Sequence, residues 1–255
     1  MSAAIEFRTV SVATPGGKRL LDDVSLSVET GTTTVLLGRS GSGKTTLLKT
    51  VNRMIAPTSG EVLVNGEANC NEDLIVLRRG IGYVIQETGL FPHFTIERNV
   101  GAVLEAEGRA RAERSRRCDE LLQAVGLNPA SFARRYPHQL SGGQRQRVGL
   151  ARALAADPKI LLMDEPFGAL DPLTRGEMQD MLLDLLGGLK KTVLLVTHDL
   201  DEALYLGDQM VLLSEGKLIE CLAPEEFLRS DQPEVQDYVR AFRRGERSAG
   251  QVTRR

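Results

Sequence analysis

Short apolar runs bounded by turn residues recur along this chain, at Thr33–Leu37 and at residues 81–85, 160–163 and 193–197. Runs this short, unbroken by polar positions, predict strands buried on both faces, the habit of parallel sheets. The N-terminal part reads differently. From Ile5 to about Val64, strand-like segments alternate with turn signals at Pro15-Gly16-Gly17, Glu29-Thr30-Gly31 and Asn65-Gly66. That predicts a small antiparallel β region, with a first strand over residues 5–10 that places Phe7 in the core. Helices are predicted over 44–53, over 104–126, and after Ser141, where Arg145, Val148, Ala151, Leu154 and Ala155 recur at helical spacing. A helix over 173–189 would put Met178, Met181, Leu182, Leu185, Leu186 and Leu189 on one core-facing stripe. A short helix over 201–206 follows, then a hairpin with Glu215-Gly216 at its turn, then a last helical stretch from Ala223. Residues 245–255 are polar and Arg-rich without apolar period, and read as a disordered tail. Strands alternating with helices make the fold class α/β, with a mostly parallel core sheet.

Composition narrows the class. The chain has 255 residues, 42% of them hydrophobic, enough for one sizeable α/β domain. A net charge of -2 gives no global reason to expect nucleic acid as a partner. Arg109, Arg111, Arg114, Arg116 and Arg117 are balanced by Glu105, Glu107, Glu113, Asp119 and Glu120, the mark of a solvated helix face. No apolar run approaches the roughly 18 residues of a membrane span, and the first ten residues do not form a signal peptide. Cys70, Cys118 and Cys221 stand apart with no C-x-x-C, which argues against disulfides and zinc and for a reducing cytosol.

Three stretches carry candidate chemistry. Gly38-Arg39-Ser40-Gly41-Ser42-Gly43-Lys44-Thr45-Thr46 has the form G-x-x-x-x-G-K-[ST] between a strand and a helix. Its glycines let several N–H groups converge on one anion, Lys44 faces the β- and γ-phosphates, and the Thr45 hydroxyl suits Mg²⁺. Leu140-Ser141-Gly142-Gly143-Gln144 opens a second helix, with Ser141 as N-cap and the two glycines leaving the first N–H groups open. The buried run over 160–163 ends in Asp164-Glu165-Pro166, where adjacent carboxylates point to opposite sides of an extended chain. Asp164 toward Mg²⁺ and Glu165 as base for an attacking water is the assignment that fits.

Together these motifs resemble the ATP-binding cassette (ABC) family, over about Ile5 to Arg240. The resemblance implies roles for Gln86, beside Mg²⁺ and the attacking water, for His198, as the switch near the γ-phosphate, and for Asp171, in the loop crossing a dimer interface. It further implies a cassette over 5–240, a helical subdomain over about 87–140, and a homodimer that sandwiches two ATP molecules head to tail. Each ATP would lie between the phosphate loop of one subunit and Ser141–Gln144 of the other. His93 and His138 match no catalytic position. One departure stands out: Ser11-Val12-Ala13-Thr14-Pro15-Gly16-Gly17 offers no aromatic side chain for stacking on adenine.

A single cassette with a short helical insert looks like the ATPase subunit of a prokaryotic importer. Such a subunit works at the cytoplasmic face of the inner membrane, through transmembrane permease subunits and a solute-binding protein. Ile81-Gly82-Tyr83-Val84-Ile85-Gln86, the following Gly89-Leu90-Phe91-Pro92-His93-Phe94-Thr95-Ile96 and the Asp164–Thr174 stretch resemble the osmoprotectant group, importers of glycine betaine, choline and related quaternary amines. The apolar, Pro-stiffened stretch 89–99 is the expected permease contact. Many members of that group continue into a regulatory domain, and the ending near Arg255 leads to the expectation that osmotic gating is absent or done elsewhere. Another solute such as an amino acid, lipid trafficking, and non-transport work by a cytosolic ABC ATPase remain open from sequence.

Overall fold

The computed structural model describes residues 3–86 and 88–252, with side chains as far as residue 243. Two units form, Met1–Cys70 with Leu194–Arg255, and Asn71–Val193. The first opens with a long hairpin of β1 (Ala3–Ala13) and β2 (Arg19–Glu29). Ile5, Phe7, Val10 and Val12 of β1 and Leu21, Val24, Leu26 and Val28 of β2 are buried, the alternation of a sheet with one dry face. The pairing register shifts between Phe7 and Val10, and Thr9 there has φ 47°. The shift lets Ile5, Phe7, Val10 and Val12 all face inward although their spacing is not a strict two.

β3 (Thr33–Leu37), buried at every position, leads into α1 (Lys44–Val51). β4 (Ser59–Val64) and β5 (Glu67–Ala68) then complete an antiparallel sheet of order β2-β1-β4-β5. Asn65 and Gly66 between them have φ 52° and 86°, both left-handed, as a tight hairpin turn demands.

The second unit runs through α2 (Leu74–Arg79), β6 (Ile81–Val84), α3 (Ile96–Val100), α4 (Ala102–Ala106), α5 (Arg111–Ala124), α6 (Pro129–Phe132), α7 (Gly142–Ala153), β7 (Ile160–Asp164) and α8 (Pro172–Leu189). β6 and β7 pair in parallel, with Ile81 opposite Ile160. Where one helix over 104–126 was expected there are two, α4 and α5. Gly108 between them has φ 74°, which no right-handed helix can pass through. Several arginines of this region are paired, Arg114 with Glu105 at 2.7 Å and Arg109 with Glu113 at 3.0 Å. The stripe on α8 is also shorter than expected. Met178 and Leu182 are buried, but Met181, Leu185 and Leu186 are half-buried and Leu189 is 40% exposed. The helix leaves the core as it runs toward its C-terminus, so its apolar spacing continues beyond its packing.

β8 (Thr192–Val196) crosses the division between the units, and α9 (Leu200–Leu206), β9 (Gln209–Ser214), β10 (Lys217–Leu222), α10 (Pro224–Phe227) and α11 (Pro233–Val252) follow. In the first unit the strand order is β10-β9-β3-β8, with β3 parallel to β9 and β10 antiparallel to β9. The turn at Glu215 and Gly216 is left-handed at both residues, as the hairpin reading required. α11 runs on to Val252, through much of the segment expected to be a disordered tail. Ala, Arg, Glu and Gln there are good helix formers, which the absence of an apolar period does not register. Residues 253–255 of that expected tail lie outside the described residues. No helix among the described residues is long and apolar enough to cross a membrane.

Candidate functional site

In the first unit, β3 delivers the chain to Gly38, and Gly38, Gly41 and Gly43 take φ of 145°, 81° and 106°. L side chains are strained in that region. At two of these positions space is also closed. A Cβ on Gly38 would run into the Leu213 carbonyl oxygen and the Ser42 hydroxyl, and one on Gly43 would lie 2.8 Å from the Leu20 carbonyl oxygen. Lys44 is 6% exposed, and its Nζ donates to the carbonyl oxygens of Gly38 at 2.7 Å and Arg39 at 3.0 Å. Ser42 is buried in the same loop and its Oγ has no hydrogen-bond partner. A buried hydroxyl without a partner is costly unless a ligand supplies one. Gly43 is the N-cap of α1, no side chain caps that helix, and its first turn, holding the half-buried Thr45 and Thr46, has no acidic residue. The loop therefore fits a phosphate chain.

A cavity of about 390 Å³ lies along Gly38–Ser42, with Glu215, Glu234, Asp237 and Tyr238 among its other lining residues. Three carboxylates make it a poor place for a triphosphate, so the phosphate reading rests on the loop itself. His198 belongs to the same unit and is exposed. Its turn is held from both sides. The Tyr238 hydroxyl donates to the His198 carbonyl oxygen at 2.9 Å, and the Thr197 hydroxyl donates to the buried Glu202 carboxylate at 2.6 Å. Asp199 caps α9 through the N–H groups of Asp201 and Glu202.

In the second unit, β7 is buried throughout and ends at Asp164, which is 6% exposed. The Tyr83 hydroxyl points at Asp164 Oδ2 from 3.5 Å, and burial first, then the Asp164 charge, pushes the Tyr83 pKa well up. Tyr83 is therefore a fixed donor beside that carboxylate. Glu165 takes φ 46°, a left-handed turn immediately after the strand, and is half-buried. Gln86 Nε2 lies 3.4 Å from Glu165 Oε2, so the structure brings the glutamine and the expected base together. Among the described residues no group of three His, Cys, Asp or Glu side chains gathers for a metal.

Ser141 caps α7 reciprocally, its Oγ accepting from the Gln144 N–H at 3.3 Å while Gln144 Oε1 accepts from the Ser141 N–H at 3.0 Å. Ser141 and Gly142 are exposed, whereas Gly143 is buried, and a Cβ there would lie 2.5 Å from Thr174 Cγ2. Gly143 also lets α7 pack closely on α8. Asp171 caps α8, and its hydrogen bonds with Thr174 hold its carboxyl below the usual range. His93 stacks edge-on against Phe94, and His138 stacks on Tyr136.

A family model described as ABC transporter matches residues 21–168. The chain belongs to the ABC transporter family. Among its relatives in that family, the osmoprotectant import ATP-binding protein OsmV of Salmonella typhimurium is 49% identical over 92% of this chain and 63% of its own length. The glycine betaine/carnitine/choline transport ATP-binding protein OpuCA of Bacillus subtilis is 44% identical over 92% of this chain and 62% of its own. The glycine betaine uptake system ATP-binding protein YehX of Escherichia coli is 45% identical over 93% and 76%. The chain thus spans less than two thirds of the first two. Among solved structures, a dimeric ATP-binding cassette in a post-hydrolysis state bound to ADP and Pi is 34% identical, with a TM-score of 0.78 over 86% of this chain and 98% of that one.

The ABC motifs led the sequence reading to the loop, the acidic pair and the capped helix, but not to what steadies them. Tyr83 went unnoticed as a partner of Asp164, although Tyr83 opposite Leu162 in the β6/β7 register puts the two within two positions. Gln146, buried and hydrogen-bonded to the Pro166 carbonyl oxygen, and Tyr238, forty positions from His198, left no signal in motif spacing.

Proposed function

We propose that this chain is the ATPase subunit of a prokaryotic importer, a cassette over residues 5–240 that binds and hydrolyses ATP to drive uptake of quaternary amines such as glycine betaine or choline. The observation that carries the ATPase reading is the phosphate loop, with its left-handed glycines, enclosed Lys44 and orphaned Ser42 hydroxyl. The solute class is supported by the names of relatives at 44–49% identity.

In this reading the loop N–H groups, Gly38 to Thr46, hold the phosphates, and Lys44 turns from its own carbonyls toward them. Thr45, Asp164 and Gln86 would be the Mg²⁺ ligands, and the ion would supply charge neutralisation on the phosphates. Glu165 accepts the proton of the attacking water, Gln86 fixes that water's position, and His198 reads the γ-phosphate. Ser141, Gly142, Gly143 and Gln144, with Asp171, meet the ATP of a second copy in a head-to-tail homodimer. The exposed apolar segment around Phe91, 44% exposed, is the contact for permease subunits at the cytoplasmic face of the inner membrane, with a solute-binding protein delivering the solute outside.

Purified protein should hydrolyse ATP with Mg²⁺, and a strain lacking the gene should lose glycine betaine or choline uptake at high osmolarity. Hydrolysis with unchanged uptake of both would sink the solute class and leave the ATPase reading intact.

A further inference from the structure

We infer that Arg152 is a positioning residue that clamps the segment at Thr88 and Gly89 to α7, so that this segment and Ser141–Gln144 move as one piece. Arg152 lies in the last turn of α7. Its Nη2 donates to the Thr88 carbonyl oxygen and its Nη1 to the Gly89 carbonyl oxygen, both at 2.7 Å. Two bonds from one planar guanidinium fix orientation as well as distance, which a lysine cannot do. The segment needs such a hold. Thr88 and Gly89 are consecutively left-handed, at φ 37° and 54°, and belong to no strand or helix. One turn earlier on α7, a Cβ on Gly149 would meet Thr88 at van der Waals distance, so the helix backbone itself supports the segment. Arg152 is half-buried, so losing the two carbonyl partners would leave polar groups partly shielded from water.

The clamp closes a ring. α7 carries Ser141 at its N-cap, Gln146 hydrogen-bonded to the Pro166 carbonyl oxygen, and Arg152 on Thr88 and Gly89. Gln86 and Glu165 face each other across that ring at 3.4 Å. A partner that displaces the apolar segment beginning at Gly89 therefore pulls on α7 and on Gln86 together. The inference rests on the proposed roles of Gln86 and Glu165 in hydrolysis. It adds the element that links them to the helix carrying Ser141.

Arg152→Gln in the full chain tests it. The kcat for ATP should fall about ten- to a hundredfold, since small misplacements of a positioning group cost that much. The Kd for ATP should stay within about twofold, because the phosphate loop is untouched. Deuterium uptake at the amides of residues 88–90 should rise. In a Gln86→Ala background the same change should add little, because both act through one group. Arg152→Lys should recover part of the loss. An unchanged kcat in folded Arg152→Gln, or full multiplication of the two losses in the double variant, overturns the clamp. If Arg152→Gln does not fold, Arg152→Lys takes its place in the cycle, and a wild-type kcat then overturns it. A wild-type protein without ATPase activity would defeat the ATPase reading instead, and exchange at 88–90 would still report on the clamp.

Discussion

At the start of α1 the chain places three left-handed glycines, an enclosed lysine and no side-chain cap; at the start of α7 it places a reciprocal Ser141–Gln144 cap and two glycines, of which one is used for packing. Both are Gly-rich helix starts, and both would attract an anion by their dipole. Only the first is incomplete by itself. Its Ser42 hydroxyl lacks a partner and its ammonium is turned onto loop carbonyls, whereas Ser141 and Gln144 already satisfy each other. A helix start that satisfies itself stays stable without ligand and can meet one brought by another molecule. In the proposed reading, α1 supplies nucleotide affinity, α7 closure, and neither turnover.

The strongest break of that division is at Glu165. Glu165→Gln keeps the shape and removes the proton acceptor, so kcat should fall by about 10²–10⁴-fold. ATP affinity, measured by equilibrium binding, should hold, and ATP-bound dimers should accumulate on a sizing column. A variant with near-wild-type turnover would remove Glu165 from its role as base. Lys44→Ala comes next. It deletes a charged donor in a desolvated loop, a loss of about 1.5–3 kcal/mol. The Kd for ATP should rise by about ten- to a hundredfold in isothermal titration, and unchanged affinity would place the phosphates elsewhere.

The same division separates what was legible in sequence from what was not. β3, β7 and the Glu215-Gly216 hairpin could be read because burial on both faces and left-handed turns leave compositional marks. So could the phosphate loop, whose glycines are forced by φ. The break at Gly108 was not read, since Gly between good helix formers costs only about 1 kcal/mol and does not by itself end a helix. The full stripe on α8 was over-read because spacing reports amphipathicity and not how far the partner extends. Contacts such as Tyr83 with Asp164 or Arg152 with Thr88 depend on register between distant segments, and local sequence does not carry that.

A smaller effect concerns the base. No aromatic side chain occurs between Ser11 and Leu20, and Phe7, the nearest aromatic residue in sequence, is 1% exposed and occupied by the core. Base–aromatic stacking is worth about 1–3 kcal/mol where it occurs. With affinity concentrated at α1, which reads only phosphate, GTP should compete with ATP to within about tenfold, or about 1.4 kcal/mol. Competition binding on the Glu165→Gln protein measures this without turnover, and strong ATP preference would mean that some other residue grips adenine.

The smallest effect falls on α7 and sharpens the comparison most. Ser141→Ala removes one side of the reciprocal cap, and such losses cost about 1 kcal/mol. In a chain of this size that is a drop of about 2–4 °C in Tm. The Kd for ATP of the isolated subunit should not move, because its own nucleotide sits at α1. Ser141→Arg should cost no more stability than the alanine but should block closure on a second copy's ATP, so the Glu165→Gln background should no longer yield ATP-bound dimers. If Ser141→Ala instead weakened ATP binding by the monomer, the two helix starts would share one nucleotide within a subunit, and the assignment of α7 to a partner's ATP would fail.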